Sequence, residues 1–388
     1  MKQPRNSNRS TRRHWCVALG AAIVAGRAHA AVSGPDAAEP IRIGMVNAQT
    51  GPAADFGRGM RQAVEAVFAA ANRAGGVHGR PIQLLVADDG YEPEQAVDQT
   101  VRLVMDEQVL ALLGAVGTAT SNAVLPLLAE FDIAFVGAMS GSNSLRSPVR
   151  RQVFNLRASY AQETEALVEL LYRKEFRKIA VVHQNDSFGQ SVLQGVSQAM
   201  TQRGLPAPAA APFQRNTTAV RLALQRMATL QPEAIVFAGP YQPAAAFIRQ
   251  ARKQGITAQF AAVSFVGSES LLALLGSEGE GMLISQVVPS PADEGLEAAQ
   301  TCRRELRQHA PVPLGHVEFE ACLSAHLLVK ALWQAGPSFS RPGLVRALEG
   351  LAVSDLGGLP LGWTPASHQA SDRVYLTQLI GGRVVPVR

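Results

Sequence analysis

From residue 41 onward, short apolar runs alternate with stretches of helical spacing, and that alternation restricts the fold more than any other feature of the chain. "IRIGMV" (41–46) reads as a buried strand. The segment 59–76 then carries Met60, Val64, Val67, Phe68 and Ala71 on one helical face, and Gly75-Gly76 stops it. Strand "PIQLLVADD", helix 93–107, strand 109–113, helix 121–130 and strand "IAFVGA" (133–138) follow. A second series begins near residue 160: helix 161–174, strand "IAVVHQ", helix 188–203, a Pro/Ala-rich segment into Phe213, helix 217–230, strand "AIVFAG", helix 243–254, and strands "FAAVSF" and "MLISQVV". Helices 293–309, 318–335 and 341–350 come next, and "VYLTQLIGGRVVPV" reads as a hairpin turning at Gly381-Gly382. Strands alternating with helices require parallel sheets covered on both faces, and two such series predict two doubly wound α/β lobes. Ligands of such sheets sit beyond the carboxyl ends of the strands.

The first 30 residues stand apart. They carry Lys2, Arg5, Arg9, Arg12, Arg13 and Arg27 and no acid, then an apolar stretch from Trp15 to Gly26 and the small-x-small pattern Ala28-His29-Ala30. This predicts a secretory signal peptide over 1–30, too short and wrongly flanked for a membrane anchor. Arg12-Arg13 is compatible with twin-arginine export but is more simply leader charge, and Cys16 lacks the setting of a lipidated cysteine. The whole chain has 36 Lys plus Arg against 31 Asp plus Glu; without the six leader cations, acids exceed bases by one. Nothing then favours nucleic-acid binding. Cys302 and Cys322 remain, and an exported chain allows either a disulfide or two buried thiols on neighbouring helices.

A catalytic constellation is not found. Gly57-x-Gly59 lacks the third glycine of a dinucleotide loop, Gln62 standing there; no phosphate loop exists; and Ser140 is flanked by Ala138 and Ser142, not by an elbow's glycines. His316-x-Glu318-x-Glu320 fans its side chains apart on a helix, so no metal site or cofactor is expected. Asp88-Asp89 is better read as a turn and helix cap than as an acid–base pair, and His183 as a packed strand-end residue. What does gather at strand ends is polar and aromatic. "GAVGTATSNAVLP" (114–126) follows a strand with Thr118, Thr120 and Ser121 at a helix start, an anion cradle in outline. Phe56, Phe188 and Tyr241 each lie between a strand and a helix, where rings would line a ligand.

"TGPAADFG", "ANRAGGVHGRPIQLLVADDGYEPEQAV", "NDSFGQSVLQGV" and "FAGPYQPAAAFIRQARKQG", in this order, resemble type I periplasmic substrate-binding proteins of ABC importers, in the leucine/isoleucine/valine-binding branch. The resemblance runs from about residue 41 to the C-terminus. It implies two lobes joined by three crossings, near 158–162, 285–289 and 370–374, that close on a small solute. The first lobe would comprise 31–160 and 288–371, the second 161–287 and 372–388. Thr118 would meet a ligand carboxylate, helped by backbone N–H groups around Met139, Ser140 and Gly141, with Phe56, Phe188 and Tyr241 as the pocket rings.

The chain departs from amino-acid binders at the acids that receive the ligand ammonium, where Gln162 and Ser264 stand. The branch's frequent first-lobe disulfide is absent too, its positions reading Tyr91 and Gly117. Glu318 or Glu320 could replace the missing acid, although capping of helix 318–335 is the simpler role. A carboxylate or neutral polar solute with an apolar or aromatic body is therefore expected in preference to leucine, isoleucine or valine. The implied protein is a monomeric periplasmic receptor, not an enzyme. It would hand a small-molecule ligand to an inner-membrane ABC permease, without binding nucleic acid or inserting into the membrane. An enzyme on this fold would need the missing constellation, a sensor module would need a signalling partner, and a transcription factor would need a helix-turn-helix where the leader stands.

Overall fold

The apolar run at residue 41 becomes β1 (Ile41–Asn47), an interior strand of a parallel sheet. The computed structural model describes residues 39–351 and 353–387, so the leader expected over 1–30 lies outside the described residues. After β1 come α1 (Ala54–Arg73), β2 (Ile82–Asp88), α2 (Pro93–Met105), β3 (Ala111–Leu113), α3 (Thr118–Glu130), β4 (Ala134–Val136) and β5 (Val153–Phe154). The strands order themselves β2-β1-β3-β4-β5. The chain then enters a second sheet through α4 (Tyr160–Arg173), β6 (Ile179–Gln184), α5 (Ser187–Gln202), β7 (Ala209–Phe213), α6 (Arg221–Leu230), β8 (Ala234–Ala238), α7 (Tyr241–Lys253), β9 (Gln259–Ala262), α8 (Ser268–Leu275) and β10 (Leu283–Gln286). It continues as α9 (Glu297–His309), α10 (His316–Ala335), α11 (Arg341–Glu349) and a small ribbon of β11 (Ser354–Asp355) and β12 (Pro360–Leu361). The chain ends in β13 (Tyr375–Ile380) and β14 (Arg383–Pro386). The second sheet runs β14-β13-β10-β9-β8-β6-β7, parallel except where β13 pairs antiparallel with β10 and β14.

Both sheets therefore share one winding, with the order reversing between β1 and β3 in the first and between β6 and β8 in the second. These are the switch points at which doubly wound sheets open a crevice. The amphipathic face of α1 (Phe56, Met60, Val64, Val67) is buried against α10 and α9, so the chain returns to the first sheet's layer after visiting the second. A disulfide between Cys302 and Cys322 ties α9 to α10, which resolves the two alternatives for these cysteines. Strands that link the two halves run side by side: Asn155 N donates to His368 O at 2.8 Å, Ala370 N to Asn155 O at 2.8 Å, and Trp363 Nε1 to Asn155 O at 2.8 Å.

Several element bounds differ from the sequence reading, at both starts and ends: α2 stops at Met105, not 107, and β3 begins at Ala111, not 109. α3 begins at Thr118, not 121, and α10 at His316, not 318, so Glu318 is in a first turn. Phe56, Phe188 and Tyr241 sit in the first turns of α1, α5 and α7, not in loops. "FAAVSF" ends as a strand at Ala262, and Ser264–Val266 form a 3₁₀ turn. No helix among the described residues is long and apolar enough to cross a membrane.

Candidate functional site

Four of the residues singled out in the sequence leave the switch-point strands directly: Phe56 follows β1, Thr118 β3, Phe188 β6 and Tyr241 β8. The structure brings the three rings into one cluster. Phe56 stands edge-on to Tyr241, with centroids 5.2 Å apart, and to Phe265, also at 5.2 Å. Phe188 lies 4.7 Å from Phe265 and 5.1 Å from Tyr160, and Tyr91 stacks on Phe265 at 6.2 Å. All six rings are buried. Tyr91, Tyr160 and Phe265 were missed in the sequence, since Phe265 was counted into a strand and Tyr91 into a turn.

The cradle is narrower than its composition suggested. Thr120 Oγ1 turns back on Val116 O and Ser121 Oγ donates to Gly117 O, so both hydroxyls serve the start of α3. Thr118 alone faces out of that turn, and its Oγ1 shares a 2.8 Å hydrogen bond with Ser140 Oγ. Gly117, at φ 98°, lets the Tyr91 ring approach to where a Cβ would stand only 2.4 Å away. Met139 is a buried core residue whose backbone bridges to Val116, while Gly141 O accepts from Tyr160 N at 2.7 Å. The Tyr160 hydroxyl, beside Thr118, is buried with no well-formed partner among the described residues, and burial pushes its pKa up to about 12.

Beneath the rings lies a charged cluster. Arg157 donates through Nε and Nη2 to both oxygens of Glu320, at 2.8 and 2.6 Å, and through Nη1 to Ser264 Oγ at 3.1 Å. Burial opposes the guanidinium's charge, but the bidentate carboxylate outweighs it and holds Arg157 above its ordinary range. Glu163 is fully buried on α4; its Oε2 accepts from Ser264 N at 2.8 Å and Ser285 Oγ at 2.7 Å. Desolvation drives its pKa upward, with Arg157 and the two serines pulling the other way. Arg146 is pushed down to about 10 by burial and by Arg157; it donates to the carbonyls of Ser140, Ser142 and Arg157.

Other expected residues lie elsewhere. Gln162, a residue expected at the ligand, forms a capping box with Ser159 (Ser159 N to Gln162 Oε1, 2.8 Å) and accepts from Gln369 Nε2. Glu318 Oε2 accepts from Gly315 N at 3.1 Å, and its other oxygen is where a Cβ on Gly59 would stand 2.1 Å away, so it caps α10 against α1 and is not turned to the rings. Burial, with Glu269 close by, raises Glu318 to about 7. Ser264, by contrast, is at the site through both its N–H and its hydroxyl. Asp88 and Asp89 accept from Gly90 N and Tyr91 N in the turn before α2, as a turn predicts, but neither caps the helix, whose N-cap is Glu92 without a side-chain bond; His183 Nδ1 meets Gln184 O. His316 pairs with Glu269 at 2.6 Å, Glu320 with Arg157, and the fanned His/Glu motif holds no common point. Among the described residues the grouping with metal-ligand types is Cys302, Cys322 and His326, and its sulfurs are joined to each other.

The two halves are latched together around the rings. Asp55 N donates to Tyr241 Oη at 3.1 Å and Gln184 Nε2 to Tyr91 Oη at 3.2 Å. Arg215 pairs with Glu92 at 2.8 Å, donates to Tyr91 O and lies 4.2 Å over the Tyr91 ring, while Asp186 anchors it at 3.1 Å. Asn216 reaches Gly90 O. A groove of about 440 Å³ opens beside Gly141 and Tyr160, lined by uncharged groups such as Ser142, Ser187, Gln190 and Ser191. This arrangement can enclose a small molecule between hydroxyls, rings and buried charge.

Comparison with known proteins gives one consistent result. The periplasmic binding protein family matches residues 40–383. An amino acid binding protein of Pseudomonas aeruginosa is 28% identical over 242 residues, covering 60% of this chain and 63% of that relative, so the chain spans less than two thirds of its length. A possible leucine/isoleucine/valine-binding protein from Rhodopirellula baltica SH 1 has a solved structure that superposes with a TM-score of 0.89 at 33% identity, covering 92% of this chain and 98% of that one. A substrate-binding periplasmic protein from Ralstonia solanacearum superposes with a TM-score of 0.86 at 27% identity, covering 89% and 100%.

Proposed function

The chain belongs to the periplasmic binding protein family, and on that premise we propose that it captures a small organic solute between its two sheets. It would carry that solute to an inner-membrane ABC permease and release it unchanged. The observation that supports this most is the convergence of groups from all four switch-point strands (Phe56, Thr118, Phe188, Tyr241) on one buried cluster. Open α/β sheets bind ligands in the crevice beyond the carboxyl ends of their strands, in sites lined by apolar and aromatic side chains with a few placed polar groups. On this reading 31–160 with 288–371, and 161–287 with 372–388, form the lobes, and the latched arrangement is the closed one. Ligand touches Phe56, Thr118, Ser140, Phe188, Tyr241 and Ser264, with Met139 and Gly141 shaping the backbone beside it.

The amino acid named for the Pseudomonas relative and the leucine/isoleucine/valine named for the Rhodopirellula neighbour make amino acids the first solutes to test. The chain is exported as a monomer after cleavage near Ala31, which N-terminal sequencing of secreted protein checks. Mass spectrometry of solute retained through purification is the direct test of function. A single small organic molecule released in stoichiometric amount on denaturation is the expected result; conversion of that molecule on incubation would instead make the protein an enzyme.

A further inference from the structure

The seam between α9 and α10 gathers four side chains of metal-ligand type, well away from the ring cluster. Cys302 and Glu305, three residues apart, share a face of α9; Cys322 and His326, four apart, share a face of α10. The two faces meet. The Cα atoms of Cys302 and Cys322 are 6.1 Å apart, and Glu305 Oε2 lies 2.9 Å from His326 Nε2. Both sulfurs and a ring nitrogen of His326 fall within 4.8 Å of one another. The cysteines are buried, whereas the His326 and Glu305 side chains are 24% and 12% exposed, so an ion has a way in from their side.

In the oxidised protein the sulfurs are bonded to each other and offer no thiolate. Reduction by a dithiol breaks that bond: two electrons and two protons pass to the cysteines, which become thiols, and the dithiol closes to a cyclic disulfide. Two thiols and an imidazole on facing helices then make a Cys2His donor set, which suits the borderline-soft Zn²⁺. Two Zn–S bonds of about 2.3 Å ask the sulfurs to part to about 3.8 Å at a tetrahedral centre. That separation is inside the span the three donor atoms already occupy. We propose that the reduced protein binds one Zn²⁺ through Cys302, Cys322 and His326, with Glu305 as the positioning carboxylate of the imidazole. Each sulfur enters as thiolate, and the two thiol protons leave to solvent. Carboxylates on metal-bound histidines fix the ring and raise its basicity, which is the part Glu305 plays here. The ion takes over the disulfide's role of tying α9 to α10, and the inference stands independently of what the cleft binds.

The test uses the full chain carrying Cys16→Ser, so that Cys302 and Cys322 are its only cysteines. One sample is kept oxidised; the other is reduced with dithiothreitol and desalted without oxygen. Zn²⁺ is titrated against a chromophoric chelator, and Co²⁺ is the optical probe. The reduced protein is expected to take up one equivalent of Zn²⁺ at least about 100-fold more tightly than the oxidised protein, with release of close to two protons. Co²⁺ should give a thiolate-to-metal charge-transfer band and the intense d–d bands of tetrahedral coordination. Zn²⁺ should restore most of the melting temperature lost on reduction. His326→Ala, which keeps the disulfide when oxidised, should weaken Zn²⁺ binding by the reduced protein at least about tenfold. Glu305→Gln should weaken it about tenfold with the charge-transfer band retained. Equal uptake by the oxidised and reduced proteins, no charge-transfer band, or wild-type affinity in His326→Ala overturns the assignment. Should reduction itself unfold the chain, circular dichroism during the Zn²⁺ titration decides: return of the native spectrum supports the site, and no return overturns it.

Discussion

Thr118 is the smallest unit on which the account can be tested. Its hydroxyl is buried and hydrogen-bonded to Ser140 Oγ, and on the receptor reading Thr118→Val keeps the shape and removes one polar contact to the solute. Affinity should fall about 10- to 100-fold in calorimetry, with the melting temperature of the ligand-free protein little changed. Glu318 gives a test that needs no ligand. Burial raises its folded pKa from 4.5 to about 7, so the folded state holds this proton more tightly than the unfolded chain does. The stability it contributes is present below its unfolded pKa and disappears as pH rises through 7. Wild-type stability should fall between pH 5 and 8, and Glu318→Gln should flatten that slope and gain about 2 kcal/mol at pH 8 in urea unfolding. Asp89, also raised to about 7 by burial, slopes the same way, so the comparison is between the two proteins at each pH.

The residues legible in advance were those whose place follows from order along the chain. Phe56, Phe188 and Tyr241 could be found because each stands just beyond a strand, and strand ends define a crevice. Glu163 and Arg157 could not, because their partners Ser264, Ser285 and Glu320 lie 101, 122 and 163 residues away. One local signal was available. Ser159-x-x-Gln162 is a capping-box pattern, which commits Gln162 to the helix start and turns the next residue inward.

At the scale of elements, helix starts were the least legible feature, and they carry much of the site. α3 begins three residues earlier than its apolar spacing suggests, and the Thr120 and Ser121 hydroxyls of its first turn donate back to the carbonyls of Val116 and Gly117, which takes two hydroxyls out of the cradle. The periodicity of α1, α9 and α10 was clear, but which helix covers which was not, since packing of α1 on α10 joins residues far apart in the chain. The Cys302–Cys322 disulfide closes a 20-residue separation between α9 and α10, a loop for which cross-linking contributes about 3 kcal/mol. Cys302→Ser with Cys322→Ser should therefore lower the melting temperature, while leaving solute affinity unchanged, because neither helix bears a ring of the cluster. The latch behaves differently. Arg215→Ala removes contacts to Glu92 and Tyr91 across the two halves, with their anchor on Asp186, and should weaken solute binding chiefly through faster dissociation in stopped-flow fluorescence.

For the whole molecule, two sheets of the same winding face each other across their switch points, and the links between them are few and lie side by side at Asn155, His368 and Ala370. On the receptor reading, such a joint would let the halves part while each sheet stays intact, and a solute would enter between them. Solute that binds only the closed form should also stabilise it, by about 2.7 kcal/mol at 100 times Kd. The alternation of strands and helices made this architecture readable from sequence; the closed latch was not, because Arg215 meets Tyr91 and Glu92 across 124 and 123 residues.

Small-angle X-ray scattering of one sample in two states tests the central claim most directly: protein stripped of retained solute by unfolding and refolding, then the same protein with that solute restored. The account predicts a larger radius of gyration for the stripped protein, and a restored profile that fits the latched arrangement with Tyr241 on Asp55 and Arg215 on Glu92. Identical profiles in the two states, with binding verified by calorimetry on the same samples, would contradict it.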